Sequence, residues 1–175
     1  KIRKQDYVLP AIQREFVWQT DQIARLFDSL MQGYPIGSFL FWNVDRAHCH
    51  DYVFYEFMKD YHQRKSRHLK RLELGAGQDV TAILDGQQRL TALNIGLQGS
   101  HSEKLPRKWH DNESAYPVRY LYLNLVAPAS PNELGMTFDF RFLTKERAAT
   151  FAEAEVHWFP LSKIMKIDSG PDLFE

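Results

Sequence analysis

The sequence predicts an α+β fold. Three observations carry that prediction: an amphipathic helical pattern near the start, a β-branched run that passes directly into a second helical pattern, and two later stretches that alternate apolar with polar residues. At 175 residues, 44% of them apolar, the chain suits one globular domain with a real core.

The elements follow in order. Ile2 to Val8 reads as a short first strand broken by Pro10. Ile23, Leu26, Phe27, Leu30 and Met31 fall at i, i+3, i+4, i+7 and i+8, which predicts a helix capped by Thr20 or Asp21 and ended by Gly33. Tyr34-Pro35 turns the chain into Ile36 to Asn43, a strand expected to be buried on both faces. Residues 45–78 are loosely patterned and read as an insertion. Asp79 to Leu84 is a strand, followed by a helix carrying Leu90, Leu93, Ile95 and Leu97 until Gly96 and Gly99 weaken it.

Ser100 to Pro117 reads as irregular. Val118 to Val126 sets Leu121, Leu123 and Leu125 against Tyr120, Tyr122 and Asn124, and Thr137 to Leu143 sets Phe138, Phe140 and Phe142 against Asp139 and Arg141. The Pro128 to Gly135 loop between them predicts a long-looped hairpin. Thr144 caps a helix over Lys145 to Glu153, and Trp158 to Leu161 is a last apolar anchor.

Composition excludes several classes. Formal charge is zero, so no whole-molecule attraction to nucleic acid is expected. The single cysteine, Cys49, rules out a disulfide framework and suits a reducing interior. No apolar stretch is long enough to span a bilayer and no signal-peptide pattern opens the chain, so a cytoplasmic protein is expected. A start at Lys1 without Met, and an end at Glu175 after a Gly170-Pro171 turn, read as a piece of a longer protein.

Chemistry concentrates at Asp85-Gly86-Gln87-Gln88-Arg89, between strand and helix. A helix mouth presents unpaired N–H groups and a positive dipole end, Gly86 lets an anion approach, and Arg89 and two glutamines add donors. The plainer reading is a tight turn in which Asp85 caps the helix. A second Gln-Arg pair, Gln13-Arg14, lies in an apolar and aromatic setting, with a surface salt bridge from Arg14 to Glu15 or Asp21 as its plainer reading. His48-Cys49-His50-Asp51 lacks the further ligand a metal site needs and reads as a structural loop. The basic run Arg64, Lys65, Arg67, Lys70 and Arg71 could touch DNA phosphates, but its favoured reading is a solvated helix face offset by Asp60 and Glu73. Phe39, Phe41, Trp42, Phe138 and Phe140 are expected in the core.

Three blocks in this order resemble one family. Leu9-Pro10-x-x-Gln13-Arg14-x-Phe16-Val17-Trp18, then Gln22 to Ser38 with its Gly33-Tyr34-Pro35-Ile36-Gly37-Ser38 ending, then Ile83 to Thr91 are similar to the N-terminal domain of the GmrSD-type modification-dependent restriction endonucleases. The resemblance covers most of the chain. It implies a ParB/sulfiredoxin-like mixed sheet flanked by helices and a module that binds and hydrolyses a nucleoside triphosphate with Mg²⁺.

By the same resemblance Gly86, Gln88 and Arg89 hold phosphates. Gln13 and Arg14 are expected to approach from the other side, and of the aromatic residues Trp18 and Tyr34, near the family blocks, are the better candidates for contacting a nucleobase. Arg14 and Arg89 stabilise charge on the transferred phosphoryl group, and Gln87 or Gln88 positions the attacking water. Asp85 holds Mg²⁺, orients water, or is only a cap. No G-x-x-x-x-G-K-[ST] string occurs, so a Walker-type mechanism is excluded. Ile12 stands where the family often has Tyr, which removes any contribution of a ring hydroxyl there.

The implied partners are DNA, reached through the full-length protein, and a separate nuclease domain with His-Asn-His chemistry that these residues do not contain. The implied function is an NTPase that gates this nuclease, with oligomerisation left open. Two other readings stand beside it: a module that senses nucleotide or modified DNA without turnover, and a ParB-like nickase.

Overall fold

The β-branched run Val80 to Asp85 becomes the strand on which the rest is assembled. The computed structural model describes residues 2, 5–11, 15–45, 47–65, 69–74, 79–130, 135–150 and 156–167. In chain order the elements are β1 (Tyr7–Pro10), α1 (Thr20–Met31), β2 (Leu40–Val44), β3 (Phe54–Tyr55), β4 (Asp60–His62), β5 (Arg71–Leu72) and β6 (Val80–Asp85). They continue with α2 (Gln87–Gln98), β7 (Ser100–Ser102), β8 (Tyr120–Pro128), β9 (Phe138–Leu143), α3 (Lys145–Thr150) and β10 (Trp158–Pro160). The fold is α+β, as the sequence predicts.

A mixed sheet of five strands runs in the order β2-β6-β1-β3-β5, with β1 parallel to β6 and β2 antiparallel to it. A second sheet, β10-β8-β9, is antiparallel, and β4 pairs with β7 in parallel. The helix α2 lies between the layers. Its Ala92 and Ile95 join Ile23 and Phe27 of α1, Leu121 of β8 and Phe140 of β9 in the largest core cluster. At its first turn Leu90 packs instead on Leu9, Phe57 and Ile83 beside the five-stranded sheet.

Several elements differ from expectation for identifiable reasons. The strand expected over Ile2 to Val8 begins at Tyr7 and carries Pro10 as its last residue, a sheet position that tolerates a missing donor. Helix α1 is capped by Gln19 rather than Thr20 or Asp21: the Gln22 side chain reaches back to the Gln19 N–H at 2.9 Å. Its other end closes as expected, with the N–H groups of Gly33 and Tyr34 donating to the carbonyls of Leu30 and Ser29.

The Ile36 to Asn43 run is not a strand buried on both faces. Strand pairing starts only at Leu40, and β2 is an edge strand on which Leu40 and Phe41 are exposed. Hydrophobicity there marks an edge, which the sequence alone does not separate from a centre. Phe39 is half-buried rather than a core residue. Residues 45–78 supply β3, β4 and β5, two of which extend the main sheet.

The basic run is not a helix face either: Arg64 and Lys65 lie in a turn after β4, Arg71 lies in β5, and Arg67 falls outside the described residues. Helix α2 continues through Gly96, where the missing side chain lets the Phe27 ring of α1 and Leu121 pack against the helix backbone. Ser100 to Ser102, expected to be irregular, is the fully buried strand β7. The predicted hairpin forms, as β8 and β9 pair antiparallel.

The alternation along β8 is overridden. Leu125 is exposed, whereas Asn124 is buried because its Oδ1 accepts the N–H groups of Val126 and His157 at 3.1 and 3.2 Å. Helix α3 is seen over Lys145–Thr150, and the rest of that expected helix lies outside the described residues. The anchor holds, with Leu161 buried in the main cluster. Cys49 is buried, its thiol donating to the carbonyl of Asp45 at 3.3 Å, and burial pushes its pKa up. Among the described residues no group of three or more His, Cys, Asp or Glu side chains is arranged to hold a metal.

One buried carboxylate ties the two halves of the largest cluster together. Asp28 of α1 accepts the N–H groups of Thr137 and Phe138 at 3.0 and 2.8 Å through Oδ1, and the Gln32 amide at 2.6 Å through Oδ2. Asp28→Ala strands both backbone donors and is expected to lower the unfolding free energy by about 2–4 kcal/mol, with Asp28→Asn losing less because one oxygen remains. Urea titration of the three proteins checks the order.

A second prediction concerns pH. His101 lies at the centre of β7, stacked on Tyr61 with ring centroids 4.4 Å apart, and burial, the largest influence, lowers its pKa to about 4. The unfolded chain therefore binds the extra proton between pH 6.5 and about 4, so stability falls as pH drops through that window. The loss attributable to His101 is roughly 3 kcal/mol when complete. Chemical denaturation at both ends of the window should show a smaller drop for His101→Gln than for the parent.

Candidate functional site at the mouth of helix α2

The turn between β6 and α2 needs a residue with positive φ, and Gly86 adopts φ +85° as the N-cap. Asp85 is therefore not the cap. It ends β6 opposite Leu40 of β2, with two-thirds of its side chain in solvent. The space vacated at Gly86 is taken by Phe39, whose ring occupies the position of a Cβ. Gly86 thus brings the β2 approach segment against the helix mouth.

The next three side chains leave the first turn of α2 in different directions, as a 100° step per residue requires. Gln87 turns back and donates to the carbonyl of Ile83 at 2.8 Å. Gln88 faces the segment before α1: its Oε1 accepts the Val17 N–H at 3.2 Å and its Nε2 donates to the Glu15 carbonyl at 2.9 Å. A side-chain amide donates and accepts at once, so Gln88 pairs with this segment as a neighbouring strand would.

Arg89 faces the segment after α1. Its Nη1 donates to the carbonyl of Ile36 and its Nη2 to that of Ser38, the latter at 2.6 Å. Asp85 Oδ2 stands 3.5 Å from Nη2, and the guanidinium carbon lies 4.7 Å from the centre of the Phe39 ring. Gly37, at φ +87°, is packed so closely that a Cβ would strike Nη1. The Arg89 side chain is four-fifths shielded from solvent.

The structure thus brings together Asp85, Gly86, Gln87, Gln88 and Arg89 with the backbone of residues 15–17 and 36–38. Gln13 and Arg14 lie outside the described residues. Trp18 is half-buried and packs on the main core cluster, whereas Tyr34 is exposed just after α1. Sequence reasoning missed Phe39, assigned to the core, and Gly37. The signal available for Gly37 was its place in the Tyr34 to Ser38 block beside an arginine motif.

Residues 1–174 match the model of a known family, described as the GmrSD restriction endonuclease, N-terminal domain. The chain belongs to that family. This N-terminal GmrSD domain is part of a restriction system. No curated protein matches it. Among the described residues no helix of the domain is long and apolar enough to cross a membrane.

The Gln88 contact generates a prediction. Gln88→Ala removes both bonds to the 15–17 segment, at a cost of about 1 kcal/mol for a partly exposed pair. Hydrogen exchange at the Val17 amide should accelerate severalfold while the amides of β6 keep their protection.

Proposed function

We propose that this domain binds and hydrolyses a nucleoside triphosphate and thereby gates a separate nuclease domain of its restriction system. The observation that supports the reading is the convergence, at the mouth opened by the left-handed Gly86 turn, of the first N–H groups of α2, the Arg89 guanidinium and the exposed carboxylate of Asp85. A triphosphate is the ligand whose charge and length use all of them.

In this reading α2 supplies backbone donors to the phosphate chain, and Arg89 adds the donors left after its two carbonyl bonds. A guanidinium carries five N–H groups, so part of its capacity remains. Arg14 and Gln13 close the site from the preceding segment, and Tyr34 or Trp18 meets the base. Gln87 or Gln88 orients the attacking water.

A single carboxylate beside a phosphate chain is the usual protein contribution to Mg²⁺, and Asp85, projecting into solvent at the turn, fits that part. When bound, Mg²⁺ neutralises charge developing on the phosphoryl oxygens. The protein as a whole acts on DNA through its nuclease partner, with the nucleotide state as the control.

A second reading, nucleotide binding without turnover, is favoured by one observation. Gln88 and Arg89 are already committed to backbone groups, so they organise the site whether or not chemistry follows.

Phosphate release by the purified protein with each of the four NTPs and Mg²⁺ tests both. Asp85→Ala is expected to reduce turnover roughly a hundredfold with little change in melting temperature, because the side chain is largely exposed. Turnover equal to that of the parent removes Asp85 from the mechanism. Tight nucleotide binding by the parent with no phosphate release favours the second reading.

A further inference from the structure

The most exposed large apolar side chain among the described residues lies outside the α2 turn. Trp109 has 87% of its surface in solvent, on the loop between β7 and β8. Its neighbours Arg107 and Lys108 are also exposed, and among the described residues neither forms an ion pair. A tryptophan left in water forfeits the burial that usually places it, so its position at a tip needs a cause.

The loop holding it is not loose. The carbonyls of Lys108, Trp109 and His110 each accept a bond, from Lys104 Nζ at 3.1 Å, from the Asn112 N–H at 3.2 Å and from Arg64 Nη1 at 3.1 Å respectively. The Tyr116 hydroxyl also donates to His110, at 3.1 Å. Below, the buried Tyr116 ring stacks on His62 of β4 at 4.9 Å between centroids, and the Leu105 N–H donates to Ala115 at 2.7 Å. Arg107 has φ +61°, a left-handed conformation unfavourable for a residue with a side chain, maintained by a loop tied on both sides. The backbone is pinned and the three side chains at its tip are left outside.

Local acids do not cancel the tip. Glu113 is taken by Lys65 at 2.8 Å, and that partner lowers its pKa; Asp111 lies 4.0 Å from Arg64 and 3.8 Å from His110; Glu103 is half-buried with its pKa raised by burial. Asp111 and Glu113 are themselves exposed beside those partners, and the consecutive side chains at the tip are two cations, unpaired among the described residues, followed by an indole.

We propose that the Arg107-Lys108-Trp109 tip is a DNA-contacting element of this domain, with Arg107 and Lys108 on backbone phosphates and Trp109 stacked on a base face. The chemistry of the tip selects this partner. A phosphodiester chain offers regularly spaced anions, and the base beside each offers a flat apolar face. A cluster of carboxylates alone would satisfy the cations without offering the indole a flat face. The chain belongs to a restriction family, so DNA is also the macromolecule at hand. The proposal does not depend on nucleotide hydrolysis.

Fluorescence anisotropy of the purified protein with a labelled duplex and with one of its strands tests it. Trp109→Ala should weaken binding about tenfold or more, with the larger effect on the single strand, where bases are free to stack. Arg107→Gln combined with Lys108→Gln should flatten the slope of log affinity against log salt by about 1.8 on duplex and about 1.4 on single strand. Melting temperatures should stay at the parent value, since the tip side chains support no core contact. DNA affinity within twofold of the parent for both variants, with unchanged salt slopes, overturns the proposal. So does unchanged DNA affinity of Trp109→Ala accompanied by lost association with the nuclease partner, which would make the tip a protein interface.

Discussion

Two adjacent side chains at the start of α2 hold this site together. Gln88 bonds to the chain entering α1 and Arg89 to the chain leaving it, so both ends of that helix are fastened to one turn. The arrangement works because consecutive helical residues diverge by about 100°, which sends neighbouring side chains to opposite walls. It also needs the turn to be tight, which the left-handed Gly86 provides. Without those bonds the segments 15–17 and 36–38 would keep few polar partners, and the three sequence blocks would have no common position.

The packing beneath gives that turn a rigid base. Helix α2 is covered on most sides: Thr91, Ala92, Asn94, Ile95 and Gly96 are buried, and Leu90 touches a different cluster from Ile95. Asn94 adds a buried bond to the Met58 carbonyl at 2.9 Å, which fastens the helix to the segment leading into β4. A helix enclosed in this way rotates little, so the directions of Gln88 and Arg89 are fixed by packing rather than by the turn alone.

The features legible in the sequence are those with a period or a motif. The 3.6-residue pattern of α1, the β6-turn-α2 unit and the β8–β9 hairpin all rest on local repetition. What escaped rests on contacts between distant residues. The buried strand β7 is written Ser-His-Ser, polar in letters, and is placed by pairing with β4 and stacking on Tyr61. The edge position of β2 follows from sheet order, which no stretch of five residues encodes. At the site, the motif located Asp85 to Arg89 correctly as a strand-to-helix turn, yet the letters could not say that two of its donors face backbone carbonyls. Trp18 and Trp109 show the same limit in reverse: the one inside a family block packs on the core, and the one in an unremarked loop is in solvent.

Prior commitment of Arg89 has a physical consequence for any anion at this mouth. A free surface arginine loses side-chain entropy on binding, whereas one already tied to Ile36 and Ser38 has lost it during folding. An anion that shares the guanidinium with those carbonyls meets a preorganised donor. An anion that displaces them instead unfastens the 36–38 segment, and with it Phe39, which covers Gly86 and leads directly into the edge strand β2. The two cases differ in what moves: sharing leaves the β2 edge in place, whereas displacement frees the start of an edge strand that pairs only with β6. Arg89 thus joins occupancy of the mouth to the position of a sheet edge by direct contact.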